Sequence, residues 1–142
     1  MLVADRKMRP FQIKYKNIGE IRHGSPYNLA DIVIIGTIKF SIEKNNSWQD
    51  KCSWSRDGNN VALVKWKHIK SEPGFIIIVI NSHTGKQLHS NWIQGCCHKV
   101  RLRNDLTIYY ETFTLISEQN GKKVYGLKSN EIKMATSKNK TL

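Results

Sequence analysis

The stretch CSWSRDGNNVALVKWK (Cys52–Lys67), with its continuation PGFIIIVINSHTGK (Pro73–Lys86), decides the fold. Runs of β-branched and aromatic residues alternate there with tight-turn pairs, Asp57-Gly58, Pro73-Gly74 and Thr84-Gly85. The order is strand, turn, strand, turn, strand, turn. Phe75–Ile80 is an unbroken run of β-formers, the pattern of a strand covered on both faces, and is expected to be the central strand of the core.

Toward the N-terminus, Phe11-Gln12-Ile13-Lys14-Tyr15-Lys16 alternates apolar with polar residues, which predicts a half-buried strand with Phe11, Ile13 and Tyr15 inward. Asn17–Tyr27 holds turn formers around Glu20-Ile21-Arg22 and reads as a loop or short edge strand. Ile32–Ile35 predicts a strand buried on both faces, Ile38–Ile42 one with a wet face, and Gly36 a bend or bulge between them.

Toward the C-terminus, Gln87–Trp92 predicts a short strand. Cys97–Asn104 alternates, setting Lys99, Arg101 and Arg103 on one face and His98, Val100 and Leu102 on the other. Asn120-Gly121 is a hairpin turn signal that sets Thr114-Leu115-Ile116 against Lys123-Val124-Tyr125. From Ser129 the composition becomes polar and basic and reads as a flexible tail, in which only Ile132 and Met134 could dock.

No stretch shows the 3.6-residue apolar period of a helix. The expected fold is therefore all-β: an antiparallel β-sandwich or open propeller-like sheet of about eight to ten short strands with at most one short helix. A chain of 142 residues suits a single domain. Its boundaries are placed at 11–128, after an irregular basic lead-in over 1–10 and before a basic tail over 129–142.

The formal net charge of +12 favours polyanionic or acidic partners, with binding that weakens as salt rises. Cys52, Cys96 and Cys97 make no disulfide framework, which with the absence of an apolar leader in Met1–Phe11 suggests a cytoplasmic protein; no apolar run is long enough for a membrane span.

Trp54-Ser55-Arg56-Asp57-Gly58, then Val61-Ala62-Leu63-Val64, Ile76–Asn81 and Thr84-Gly85-Lys86, resembles a β-propeller blade of the TolB or WD-repeat type. A weaker copy follows through Val100–Arg103, Asn104-Asp105, Ile108-Tyr109-Tyr110 and Asn120–Lys123. At roughly forty residues per blade the chain holds about three, fewer than a closed propeller needs, so the resemblance implies an open sheet or a sandwich built of blade-like hairpins.

The functional reading follows the cations. Lys99, Arg101 and Arg103, with Lys65, Lys67 and Trp92, are the candidate binding residues of a non-enzymatic interaction module for an acidic protein partner or a homo-oligomer. The alternative is a nucleic-acid-binding protein in which Trp92 stacks on bases beside Lys99, Arg101 and Arg103. A third reading is a Cys-dependent enzyme pairing Cys97 with His83, His89 or His98. Trp54 and Trp66 are expected in the core, Trp48 and Trp92 partly exposed. His23–Tyr27 is a polar loop able to line a site. No cofactor motif occurs, and the adjacent Cys96 and Cys97 would point to opposite strand faces, so no metal site is expected.

Overall fold

The computed structural model of the chain describes residues 9–20, 27–38, 40–45, 47–69 and 72–134. Its strands are β1 (Phe11–Glu20), β2 (Asn28–Gly36), β3 (Trp48–Trp54), β4 (Asn60–Trp66), β5 (Gly74–Asn81), β6 (Gln87–His89), β7 (Ile93–Gln94), β8 (Cys96–Leu102), β9 (Thr107–Gln119) and β10 (Lys122–Lys133). They form two antiparallel sheets, one in the order β1-β2-β3-β4-β5-β6 with β7 beside β5, the other in the order β10-β9-β8. Neither closes into a barrel, and no helix occurs among the described residues.

The β4–β5 hairpin sits at the centre because its side chains are apolar in both directions. Ala62, Val64, Trp66, Phe75, Ile77 and Val79 face the three-stranded sheet and pack with Cys97, Leu102, Ile108 and Met134. Val61, Leu63, Ile78 and Ile80 face the other way and pack with Phe11, Ile32 and Trp48. The β1–β2 hairpin thus covers the far face of β4–β5, joined to β3 through the Ala30–Trp48 pair. Each fully buried aliphatic or aromatic side chain of this double core contributes about 1.5–3 kcal/mol.

Phe75–Ile80 is the doubly covered strand the sequence implies. Ile32–Ile35 is not: Ile32 is buried, whereas Ile35 is 47% exposed, because β1–β2 lies on the outside of the molecule and only one of its faces meets the core. Ile38–Ile42 forms no strand among its described residues; Ile38, Phe40 and Ile42 still pack on the second cluster, so the apolar alternation is used without a ladder. β1 continues to Glu20 across a bulge between Lys16 and Gly19, where Asn17 takes a φ of 54°.

Trp48 corrects the expectation of partial exposure. It is 1% exposed, its indole N–H donates to the Glu43 carbonyl at 2.9 Å, and it anchors the second cluster. The folded body also runs past residue 128. Ser129–Lys133 pair in register with Thr107–Glu111, and Met134 is buried, because a polar strand segment can complete a ladder whose apolar face is supplied by Ile132 and Met134. Most of the lead-in (1–8), residues 21–26 of the Asn17–Tyr27 loop and residues 135–142 lie outside the described residues.

The Asn120-Gly121 turn forms as expected, with φ values of 53° and 75° that match a two-residue hairpin loop. The register slips by one residue beyond it. Val124 faces Ser117 but Tyr125 faces Leu115, so Ile116 is the extra residue of a bulge in β9 while β10 stays regular.

Candidate binding face

β9 decides which side chains of the three-stranded sheet face the core. Ile108 and Thr112 are buried inward, so Tyr109, Glu111, Phe113 and Leu115 project outward. Cross-strand register adds Arg101 opposite Tyr109, Lys99 opposite Glu111, Leu127 opposite Phe113 and Tyr125 opposite Leu115. No described strand covers this face. Tyr109 (39% exposed), Phe113 (38%), Tyr125 (53%) and Leu127 (51%) make an apolar and aromatic strip along it.

The strip is internally ordered. Tyr27, Phe113 and Tyr125 form a row, with ring centroids 6.1 Å apart at each step and the Phe113–Tyr125 pair stacked at 18°. Arg103 closes one end: its Nη1 donates to the Tyr109 hydroxyl at 3.1 Å and its guanidinium lies 5.6 Å over the Tyr109 ring. Beside the row, the Tyr27 hydroxyl meets His98 Nδ1 at 3.2 Å, and His98 Nε2 lies 3.8 Å from Glu111. Among the described residues no ion pair is made by Lys99 or Arg101, and both are exposed.

The remaining cationic candidates do not share this surface. Lys65 stands on the far face of β4, its Nζ 2.7 Å from Glu43 and 5.7 Å from the Trp48 ring centroid, with the whole central sheet between it and β8. Lys67 is exposed just beyond β4, and its carbonyl accepts the Trp92 indole N–H at 2.6 Å. Trp92 is half-buried and lies directly over Gly74, where any Cβ would collide with the indole. It is a packing residue at the start of β5 in this structure, with its ring face against backbone.

Cys97 is buried in the first cluster, and burial pushes its thiol up to about 12, the opposite of the depressed value that activates a nucleophilic cysteine. Its Sγ donates to the Lys99 carbonyl at 3.3 Å. His83 and His89 have other partners, Asn59 and Gln87 respectively. No group of three or more His, Cys, Asp or Glu among the described residues is placed to hold a metal ion. No helix among the described residues is long and apolar enough to cross a membrane.

Two features escaped the sequence reading. One is the strip itself: both faces of β9 mix apolar with polar side chains, Ile108, Tyr110, Thr112 and Thr114 on one and Tyr109, Glu111, Phe113 and Leu115 on the other, so alternation does not say which face stays open. The other is an open cleft of about 730 Å³ between the β6–β7 segment and the end of β10, lined by Leu88, Ser90, Trp92, Tyr110, Ile132 and Lys133. Its polar groups are largely engaged, Ser90 with Ile77 and Asn91, Trp92 with Lys67 and Lys133 with Asp105.

Fold and site together define an antiparallel two-sheet sandwich with one open, cation-edged sheet face. No family model, curated protein or solved structure matches the chain.

Proposed function

We propose that the chain is a binding module whose open three-stranded face takes an acidic protein partner. The observation that carries it is the exposed row of Tyr109, Phe113, Tyr125 and Leu127 bordered by Lys99, Arg101 and Arg103. Aromatic side chains supply contact area at small entropic cost, and a cationic border steers and orients an acidic partner. The net charge of +12 adds long-range attraction of the same sign.

Single-stranded nucleic acid is the competing ligand for such a face. Base stacking needs free ring faces, and here Phe113 lies between Tyr27 and Tyr125 while Arg103 lies over Tyr109. That occupancy favours a protein that packs along the strip. Fluorescence anisotropy with a labelled peptide of alternating Glu and Leu tests this reading. Binding should be lost in Arg101→Glu/Arg103→Glu and retained in Lys65→Glu; binding of an oligonucleotide but not the peptide overturns it.

A further inference from the structure

We infer that the free edge of β10 is a self-association site, at which two copies of this chain pair antiparallel about a twofold axis through Leu127. The inference does not rest on the acidic-partner reading, although Tyr125 and Leu127 belong to both surfaces. β10 is 12 residues long and ends its sheet, so its edge away from β9 has no neighbouring strand among the described residues. Exposed edges are ordinarily blunted by a bulge, a proline, lysines or a short length. β10 has no proline, and the bulge of this hairpin lies in β9 at Ile116, which leaves the outer edge regular; of these devices it carries only the lysines Lys122, Lys123, Lys128 and Lys133, so a pairing must keep them from opposing one another.

The side chains select one register. A twofold axis perpendicular to the sheet keeps the outer face of each copy outward, so residues can pair only with residues of the same face, and the possible registers differ by steps of two. With Leu127 on the axis it meets the partner's Leu127, Tyr125 meets the partner's Ser129, and Lys123 meets the partner's Glu131. The Lys123–Glu131 pair then forms twice. With Lys128 on the axis, Lys128 meets its own copy and Lys123 meets the partner's Lys133, so like charges oppose. With Gly126 on the axis, Lys123 meets the partner's Ser129 and Glu131 falls beyond the end of the partner's strand. Only the Leu127 register pairs every residue from Lys122 to Ile132 with no like charges directly opposite and both ion pairs made, the two Lys128 side chains standing diagonally across the axis.

The product is a continuous six-stranded sheet in the order β8-β9-β10-β10-β9-β8. The Tyr125 and Leu127 side chains of both copies join into one strip on its outer face, and Lys99 and Arg101 stand at its two far ends.

Sedimentation velocity of the full chain across a dilution series in about 0.15 M salt tests the inference. The wild type should dimerise. Lys123→Glu, which sets two carboxylates against each other twice, should weaken the dimer by about tenfold or more, and Lys123→Glu/Glu131→Lys should restore it. Leu127→Lys should abolish it while circular dichroism shows the fold intact, as the site is exposed. Arg101→Glu/Arg103→Glu, which removes the proposed acidic-partner contacts, should leave dimerisation unchanged. A wild-type chain that stays monomeric to about 0.5 mM, or a dimer indifferent to Lys123→Glu, overturns the inference.

Discussion

The side-chain amide of Gln49 is paired with the backbone of Cys97 at both ends: its Nε2 donates to the Cys97 carbonyl, and its Oε1 accepts the Cys97 N–H at 3.2 Å. Gln49 is a β3 residue of one sheet and Cys97 a β8 residue of the other, and both are completely buried. A side chain here does the work of a neighbouring strand on the free edge of β8. Ser53 repeats the device further along, its Oγ accepting the Leu102 N–H at 2.9 Å. These bonds tie the sheet that carries the open face to the central one.

Gln49→Ala should therefore destabilise the fold by about 2–3 kcal/mol, because it strands a buried N–H and a buried carbonyl as well as removing two hydrogen bonds. Urea unfolding with an unchanged slope and a lowered midpoint is the expected result. A loss below about 0.5 kcal/mol, the range of ordinary surface substitutions, would show that Gln49 does not join the sheets.

Ile77→Ala and Ile35→Ala should separate sharply, although both residues stand in apolar runs that look alike in the sequence. Ile77 is fully buried and its truncation should cost about 2–5 kcal/mol. Ile35 is 47% exposed and its truncation should stay within about 0.5 kcal/mol. Equal losses on thermal or urea unfolding would contradict the placement of β2 at the surface.

The legibility of the chain follows this contrast. β4 and β5 could be read because they are apolar on both faces and bounded by Asp57-Gly58, Pro73-Gly74 and Thr84-Gly85, all local signals. Trp48 could not, since its burial depends on the β1–β2 hairpin folding over the far face of β4 and β5, a relation of sequence-distant residues. Ser129–Lys133 read as tail because composition reports apolar content, whereas a ladder needs only backbone groups and a register. At the candidate site, alternation grouped Lys99, Arg101 and Arg103 on one face, and all three are exposed; His98, expected on the opposite face with Val100 and Leu102, instead lies beside the outward Glu111 because a bulge between Cys97 and Lys99 shifts the alternation. Alternation said nothing of Tyr109, Phe113, Tyr125 and Leu127, whose exposure is set by which side of β9 meets Ile77 and Val79.

Cys97 should be inert toward a thiol reagent in the folded chain. With its thiol pushed up to about 12 by burial, Cys97 carries almost no thiolate near neutral pH. Burial also pushes up the Cys52 thiol. Reaction with a disulfide reagent near neutral pH should thus release the Cys97 equivalent only on unfolding. Fast native modification of Cys97, traced by mass spectrometry, would contradict its burial.

Acid should weaken the turn that joins β3 to β4. Slight burial raises the Asp57 carboxyl, but the Ser55 hydroxyl at 2.7 Å and the Asn59 N–H at 2.9 Å outweigh it and hold the group below its ordinary 3.8. A depressed carboxylate adds stability that is present above the unfolded value and lost as pH falls through the folded one. The Thr107 N–H bond depresses Asp105 in the same sense. Stability should fall below about pH 4, and Asp57→Asn should flatten that fall; an unaltered acid limb would show that the turn hydrogen bonds do not hold the carboxylate.

The open, cation-edged sheet face is tested most directly by amide chemical-shift mapping of the full chain on titration with the Glu/Leu peptide, in parallel with a single-stranded oligonucleotide. The peptide should perturb Lys99, Arg101, Tyr109 and Phe113 and leave Lys65 on the far side of the central sheet unmoved. Shifts confined to the cleft lined by Leu88, Ser90, Trp92 and Ile132, or produced by the oligonucleotide alone, would contradict the assignment of this face to an acidic protein partner.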